Sequence, residues 1–529
     1  MTYDVILLAN APTTFSSTRT YGPYRLASEL RLKGYSALVI NHVEYLDMDT
    51  FIKILKLAVG DNTLCVGFST SWFISATGLG DWNEYEVDYP NGDIWDLKKI
   101  GAFSLIEDSI MYKFSQEDPD TVIDAIKKIK PDVKVVIGGH DSHAYISKSK
   151  KVDNIFIGYS ENQFPMYIDS LANNRISTFN KIIDFDAKGL IGDFDFKNSV
   201  VSYHETDFIQ KNEVLLLETT RGCIFNCSFC SYPHRGSKTK NFIRYKDSIK
   251  TELLQNYEQW GTTKYIIVDD TFNDHTEKLE LIAEVVKELP FSLRLWAYCR
   301  VDLIGVYPEQ AQLMKDIGVK EILWGLETWD ENTAKLVKKG NSNDKKIKGM
   351  RIAKEVWGDE VAIAASMVVG LPQDTRKSWD EFEKFLEEEG HLHLDGIYPG
   401  ELWIRADDEF SEMRKSWNNM ADIEKDPKKY GYSFPYAEQG QLHRWVRPDG
   451  DINSFEEAQE LAEELNNRFG KYNSKFLSKF NEAEAIDDMK SEVYPDPTKP
   501  PLLDDPKWEI IHKWCHERYF PFLIDYLQE

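Results

Sequence analysis

The segment best equipped for chemistry is Thr220-Arg-Gly-Cys-Ile-Phe-Asn-Cys-Ser-Phe-Cys230, which sets Cys223, Cys227 and Cys230 in a Cys-x3-Cys-x2-Cys spacing. Thiolates are soft donors suited to zinc and to iron–sulfur centres, and one compact loop containing Gly222 can aim three of them at a single cubane. A closed tetrahedral zinc site needs a fourth donor, usually from a second Cys or His pair. His234 is near enough in sequence to be tried in that role, so zinc stays open as the alternative. For a four-iron cluster the missing donor is an advantage, because a small molecule with an amine and a carboxylate can chelate the bare iron. The loop is polar and includes Arg221, which argues against a set of merely buried thiols. Cys299 and Cys515, isolated in sequence, read as small buried hydrophobes.

The elements that must position this loop come from the alternation of apolar runs and helical patterns. Glu213–Thr219 leads into the cysteines as a strand; Tyr265–Val268, Leu293–Ala297, Glu321–Gly325 and Ala362–Val369 continue the series. Helical stretches such as Lys246–Trp260 and Ser378–Glu388 lie between them, which predicts a parallel α/β unit over 213–400, a full or partial barrel. Barrel active sites sit at the carboxyl ends of the strands. Asp269, Asp270, Arg300 and Glu327 all fall there. Carboxylates suit an ammonium or ribose hydroxyls, and a guanidinium suits a carboxylate. Taken singly, each is as well explained by a structural ion pair; their order and spacing make the stronger case.

Residues 1–175 repeat the same rhythm. Val5–Ala9, Ala37–Ile40, Leu64–Phe68, Val133–Ile137 and Asn154–Ile157 read as strands buried on both faces, giving a parallel, doubly wound sheet. Ligands of such sheets sit beyond the strands' carboxyl ends. An insertion at 77–116 carries Trp82, Tyr85, Tyr89 and Trp95 among acidic residues and is either functional or a surface excursion packed by its own aromatics. Residues 176–212 read as a linker. Residues 401–529 read as a mostly helical carboxyl-terminal domain, with Glu456–Phe469 its clearest helix. Trp403, Arg405, Trp445 and Arg447 are there for stacking on or pairing with a substrate, or for packing a helical cap.

The 529 residues carry a net charge of −25, which disfavours loose binding to nucleic acid or anionic lipid. No apolar run reaches the roughly 18 residues of a membrane span, and the start has no basic n-region, so a cytoplasmic location is expected.

The cysteine run resembles the CxxxCxΦC signature of radical S-adenosylmethionine (SAM) enzymes, with Phe229 at the aromatic position. The likeness continues in order through Val268-Asp-Asp-Thr-Phe272, Tyr298-Cys-Arg-Val-Asp302, Gly325-Leu-Glu-Thr328, Lys338-Lys-Gly340 and Gly370-Leu-Pro-Gln-Asp-Thr375. It implies a [4Fe–4S] cluster on Cys223, Cys227 and Cys230. The fourth iron would hold SAM, and an electron from the cluster would cleave it to a 5′-deoxyadenosyl radical. Phe229, Asp269, Asp270, Arg300 and Glu327 would then bind the nucleotide, and flavodoxin or ferredoxin would donate the electron to an enzyme acting on a small molecule or peptide.

The first sheet, through Tyr24–Gly34, Val136-Ile-Gly-Gly139 and Ile157-Gly-Tyr-Ser-Glu-Asn-Gln-Phe164, resembles the Rossmann-like domain of the cobalamin-binding subgroup. That implies corrin contacts at Ser69, Gly138, Gly139, Gly158 and Glu161. Glycines there let backbone approach a bulky ligand, although they equally suit tight strand-to-helix turns. Asn10–Arg25 contains no histidine, so the cobalt-ligating DxHxxG pattern is absent. With cobalamin the resemblance implies a C-methyltransferase. Without it, the domain is vestigial and a radical oxidase, cyclase or epimerase is implied. A non-enzymatic iron–sulfur redox or assembly protein is the third reading, and the ordered nucleotide motifs speak against it.

Overall fold

The computed structural model describes the chain except for residues 11–17, 71–101, 140–141, 143–144, 146–148, 176–180, 185–193, 233, 341, 407–410, 412–414, 416–419, 440–442, 474–481 and 504–505. Two six-stranded parallel sheets organise it. The first comprises β1 (Val5–Leu8), β2 (Ala37–Ile40), β3 (Cys65–Ser69), β4 (Lys134–Gly138), β5 (Asn154–Ile157) and β6 (Ile182–Asp184), in the order β2-β1-β3-β4-β5-β6. Its strands are apolar in their central residues because both faces are covered. Val5, Leu7, Ala37 and Val39 enter a core shared with the second sheet, whereas Ile6, Leu8, Leu38 and Ile40 point into a separate one.

The stretch expected as a linker is partly structured. β6 lies inside it, pairing Ile155 with Ile182 and Ile157 with Asp184. Three residues with polar flanks leave too short an apolar run to be read as a strand. Of the insertion, 77–101 with Trp82, Tyr85, Tyr89 and Trp95 lies outside the described residues. Its tail folds into short turns at Ala102–Leu105, Ile110–Tyr112 and Lys113–Glu117, and Phe114 stacks 4.0 Å from Phe68.

The second sheet runs in strict chain order: β7 (Leu215–Leu217), β8 (Lys264–Ile267), β9 (Arg294–Cys299), β10 (Val319–Glu327), β11 (Ala362–Val369) and β12 (Gly396–Glu401). β7 and β12 are its two edges, so the barrel is partial. β12, with the sequence Gly-Ile-Tyr-Pro-Gly-Glu, is the strand missing from the sequence reading. Glycine and proline disguise it, and proline is tolerated there because the strand is an edge. Towards the carboxyl ends every second residue is partly open: Tyr298, Leu323, Gly325, Glu327, Ser366, Val368, Tyr398 and Gly400. These residues line an accessible lumen.

The residues after 401 divide between the two sheets and do not form one unit. Helix Phe455–Phe469 buries Phe455, Leu461 and Leu465 in the core shared by the barrel. Helices Pro506–Trp514 and Phe520–Gln528 bury Trp508, Trp514 and Leu523 against the far face of the first sheet. Among the described residues no helix is long and apolar enough to cross a membrane.

A buried ion pair joins the two units. The Arg19 guanidinium donates to both Glu213 oxygens, just ahead of β7, and to the Tyr24 hydroxyl at 3.0 Å. Both side chains are only 2% exposed. Removing one partner leaves an uncompensated buried charge, so Glu213→Ala should destabilise the fold by about 3–5 kcal/mol, read from the urea unfolding midpoint.

Candidate metal centre

The cysteine loop leaves β7 under constraint from β8. The Asp269 carboxylate accepts from the backbone N–H groups of Thr219 (2.7 Å) and Thr220 (3.1 Å), from the Thr219 hydroxyl, and from Lys278 Nζ at 3.2 Å. Gly222 follows in the left-handed region at φ +84°, and a Cβ there would stand 3.0 Å from the His234 carbonyl oxygen. Glycine is required because Cys223 N–H donates to that same oxygen at 3.1 Å. Ser237 N–H then donates to Cys223 O (2.9 Å) and Gly236 N–H to Phe225 O (2.7 Å), lacing the first half of the loop to residues 234–237. The second half docks elsewhere: Ser228 N–H donates to Val337 O (2.8 Å), and Ile423 N–H to Ser228 O (3.0 Å).

Loop geometry leaves the three sulfurs differently surrounded. Cys223 Sγ lies 3.3 Å from Thr271 Oγ1 and Cys227 Sγ 4.0 Å from the Lys338 carbonyl. Burial pushes the Cys223 thiol up, and burial with the neighbouring Cys227 and Asp270 charges lifts Cys230 to about 12. Such thiols ionise readily only beside a metal. Among the described residues no three His, Cys, Asp or Glu side chains are placed to hold one metal ion. A cubane asks for something different, since each thiolate binds its own iron, so the donor set fits a polynuclear centre better than zinc. His234, the candidate fourth zinc ligand, instead stacks on Tyr159 at 5.1 Å; burial and Arg221 hold its pKa down at about 4.

Of the residues expected at the nucleotide, Phe229, Asp270 and Glu327 keep access and two are otherwise engaged. Phe229 is half-buried against the barrel core. Asp270 is half-buried beside the cysteines; burial, Asp269 and Glu218 raise its carboxyl to about 7. Glu327 ends β10 at φ +64°, rare for a residue with a Cβ and typical of functional sites. Its carboxylate accepts from Lys339 Nζ (3.3 Å), in the Lys338-Lys-Gly340 segment, and from Ser366 Oγ (3.4 Å), a partner that the sequence reading missed. Gly325 makes room for it, since a Cβ there would lie 2.4 Å from Glu327 Oε1.

Asp269 and Arg300 each hold internal partners. Asp269 is buried, with its oxygens committed to the loop, and braces the site without facing it. Arg300 donates to Asp302 from Nε and Nη2 (3.1 and 3.0 Å) and to the Lys339 carbonyl at 2.8 Å. Its guanidinium lies 3.8 Å over the Phe225 ring, tying the loop to β9.

The five residues expected at a corrin gather at the carboxyl edge of the first sheet. Ser69 pairs in register with Gly138, and Thr70 donates to Gly138 O from N–H and hydroxyl at 2.8 and 3.0 Å. Gly139 and Gly158 adopt φ +107° and +83°. The Glu161 carboxylate pairs with Arg221 of the cysteine loop. His140 and His143 lie outside the described residues. In the region after 401, Trp445 and Arg447 are buried, so they pack the cap; Trp403, at 53% exposure, is open.

Residues 217–386 match the family model of the Radical SAM superfamily. The chain carries a radical SAM domain. The cofactors of that family are a [4Fe–4S] cluster and SAM. The bacteriochlorophyllide d C-8(2)-methyltransferase of Chlorobaculum tepidum is 24% identical over 269 residues, 49% of this chain and 58% of that protein. An uncharacterized methyltransferase of Pyrococcus horikoshii is 23% identical over 332 residues, 58% of this chain and 70% of that one. The chain thus spans little more than half of the first relative's length. Among solved structures, the radical SAM methyltransferase TsrM of Kitasatospora setae, with cobalamin and a [4Fe–4S] cluster bound, superposes with a TM-score of 0.52 at 16% identity. The match covers 76% of each chain. That likeness shows the shared fold.

The two adjacent aspartates should behave oppositely in the iron-free chain. Asp269→Ala strands buried donors and should cost about 1–3 kcal/mol. Asp270 has a folded pKa above its ordinary 3.8, so its contribution to stability is fully present only below about pH 4 and is lost as pH rises through about 7. Asp270→Asn should therefore leave stability unchanged at pH 4 and raise it increasingly up to about pH 7–8, as urea midpoints across that range would record.

Proposed function

We propose that the protein is a cobalamin-dependent radical SAM C-methyltransferase. In this reading Cys223, Cys227 and Cys230 ligate the cluster, Asp270 and Glu327 hold the ammonium and ribose of SAM beside Phe229, and the loops after β3, β4 and β5 hold the corrin. The observation that carries it is the direct contact between the loop after β5 and the loop after β7, through Tyr159, Glu161 and Arg221. A cofactor on the carboxyl edge of the first sheet would adjoin whatever the cysteines hold. The relatives named as methyltransferases and the cobalamin of the TsrM structure support the same reading. The glycine turns at 139 and 158 suit a bulky ligand approached by backbone.

When bound, the cluster supplies the electron that splits the SAM sulfonium to methionine and a 5′-deoxyadenosyl radical. The chain's own part is to orient. Lys339 and Ser366 fix the Glu327 carboxylate, and Tyr298, Leu323, Val368 and Tyr398 border the lumen where a small-molecule or peptide substrate would sit. A flavodoxin or ferredoxin is the proposed electron donor and the cytoplasm the proposed location. A second reading, cobalamin-independent radical oxidation, cyclisation or epimerisation with a vestigial first domain, is favoured by one observation: Glu161 is engaged by Arg221.

Each of Cys223→Ala, Cys227→Ala and Cys230→Ala should abolish the iron centre of the anaerobically prepared full chain while leaving it folded; four irons retained by any of them would contradict the ligand assignment. Glu327→Ala should keep the iron and weaken SAM binding roughly tenfold to a hundredfold by calorimetry, the loss of one charge-assisted hydrogen bond. In equilibrium dialysis the full chain should retain hydroxocobalamin, with a spectrum free of nitrogen ligation because Asn10–Arg25 offers no imidazole. Failure to retain it would shift the reading to the cobalamin-independent one.

A further inference from the structure

Arg221 stands two residues before the first cysteine and is 3% exposed. Its partners come from both units. Glu218, at the end of β7, accepts from Nε at 2.8 Å and from Nη2 at 3.2 Å. Glu161, in the loop after β5, also accepts from Nη2. The rings of Tyr159 and Phe196 lie 4.0 and 4.6 Å from the guanidinium carbon. Glu218 takes a further hydrogen bond from Arg25 at 3.3 Å, in helix Tyr21–Leu32. Two guanidinium groups and two carboxylates thus form a buried, charge-balanced row, Arg25–Glu218–Arg221–Glu161, that ends in the amino-terminal domain.

A second route runs from the same loop to the same cysteine. Tyr159 stacks on His234, and the His234 carbonyl accepts the Cys223 N–H. One side chain of the first domain therefore fixes Arg221, and another fixes the residue that hydrogen-bonds Cys223. Buried ion pairs stabilise a fold weakly, because desolvation offsets the attraction; their best-attested use is to select one arrangement over others. Packing between the sheets alone would need neither.

We propose that Glu161 and Tyr159 are positioning residues for the SAM site, acting through Arg221 and His234 on the conformation of the cysteine loop. The amino-terminal domain then takes part in SAM binding whether or not a corrin occupies it. The inference rests on the cluster and SAM assignment above but is independent of cobalamin. It also has an electrostatic consequence. Neutralising Glu161 leaves the row with one net positive charge close to the cysteines, which favours the more negative, reduced form of a cluster and raises its midpoint potential.

The test uses the full chain, reconstituted anaerobically without cobalamin, as wild type, Glu161→Gln and Tyr159→Leu. Both variants should keep the wild-type iron content. Both should bind SAM more weakly, by about fivefold to 150-fold, the usual span of coupling between linked sites. The electron paramagnetic resonance spectrum of the reduced, SAM-bound cluster should change in both, whereas only Glu161→Gln should move the potential upward. Should Glu161→Gln not fold, Tyr159→Leu decides, since it buries no unpaired charge. Wild-type affinity and an unaltered SAM-bound spectrum in the folded variants would show a docking contact only and overturn the proposal. A wild-type chain that binds no iron or no SAM would instead overturn the cluster assignment, and this inference with it.

Discussion

Thr219 and Thr220 turn the chain out of β7 into the cysteine loop, and the backbone N–H groups that this turn exposes are taken up by Asp269 of the neighbouring strand. Buried backbone donors must be satisfied, and one carboxylate oxygen takes both N–H groups while the other takes the Thr219 hydroxyl, with Lys278 beside it. The direction in which the loop leaves the sheet follows from that one group. The remainder of the site builds on it: Gly222 allows the close pass at His234, the second half of the loop rests on Val337 and Ile423, and the three thiols are left facing the barrel mouth beside Asp270. The paired aspartates therefore divide the labour. One is buried and structural; the other is half-open, with a carboxyl raised by burial and by its neighbour.

Charge also governs how the two units meet. The boundary is crossed by buried arginine–glutamate pairs, Arg19 with Glu213 and Arg221 with Glu161, in addition to the shared apolar core. Such pairs tolerate little misalignment, since a displaced partner leaves a bare charge out of water. They hold the carboxyl edge of the first sheet against the cysteine loop in one register. The carboxyl-terminal helices strengthen the arrangement from outside, one group packing on each sheet.

Much of this was legible in the sequence. Soft ligands at a fixed spacing announce their chemistry, and apolar runs buried on both faces announce parallel strands; the five strands of each series expected in this way are present. The failures share a cause. β6 and β12 were hidden because a three-residue edge strand and a Gly- and Pro-containing one lack the composition of central strands. The internal partners of Asp269, Arg300 and Glu161 were not legible either, because a sequence shows that a charge is near a site without showing which neighbour holds it. Lys339 and Tyr159 lie in segments that carried the resemblance but had no role read for them, and Ser366 carried no signal at all, being an ordinary residue brought in by topology. Trp445 and Arg447 could not be told from Trp403 without knowing which face the helical cap buries.

Three thiolates on one loop are proposed to hold a four-iron cluster with an iron left for SAM. Electron paramagnetic resonance of the reduced, anaerobically reconstituted protein, recorded before and after addition of SAM, addresses it directly. A [4Fe–4S]⁺ signal whose g-values shift when SAM is added is expected, because the ligand binds the cluster itself. A cluster signal indifferent to saturating SAM, or a protein that takes up stoichiometric zinc and no iron under the same conditions, would contradict it.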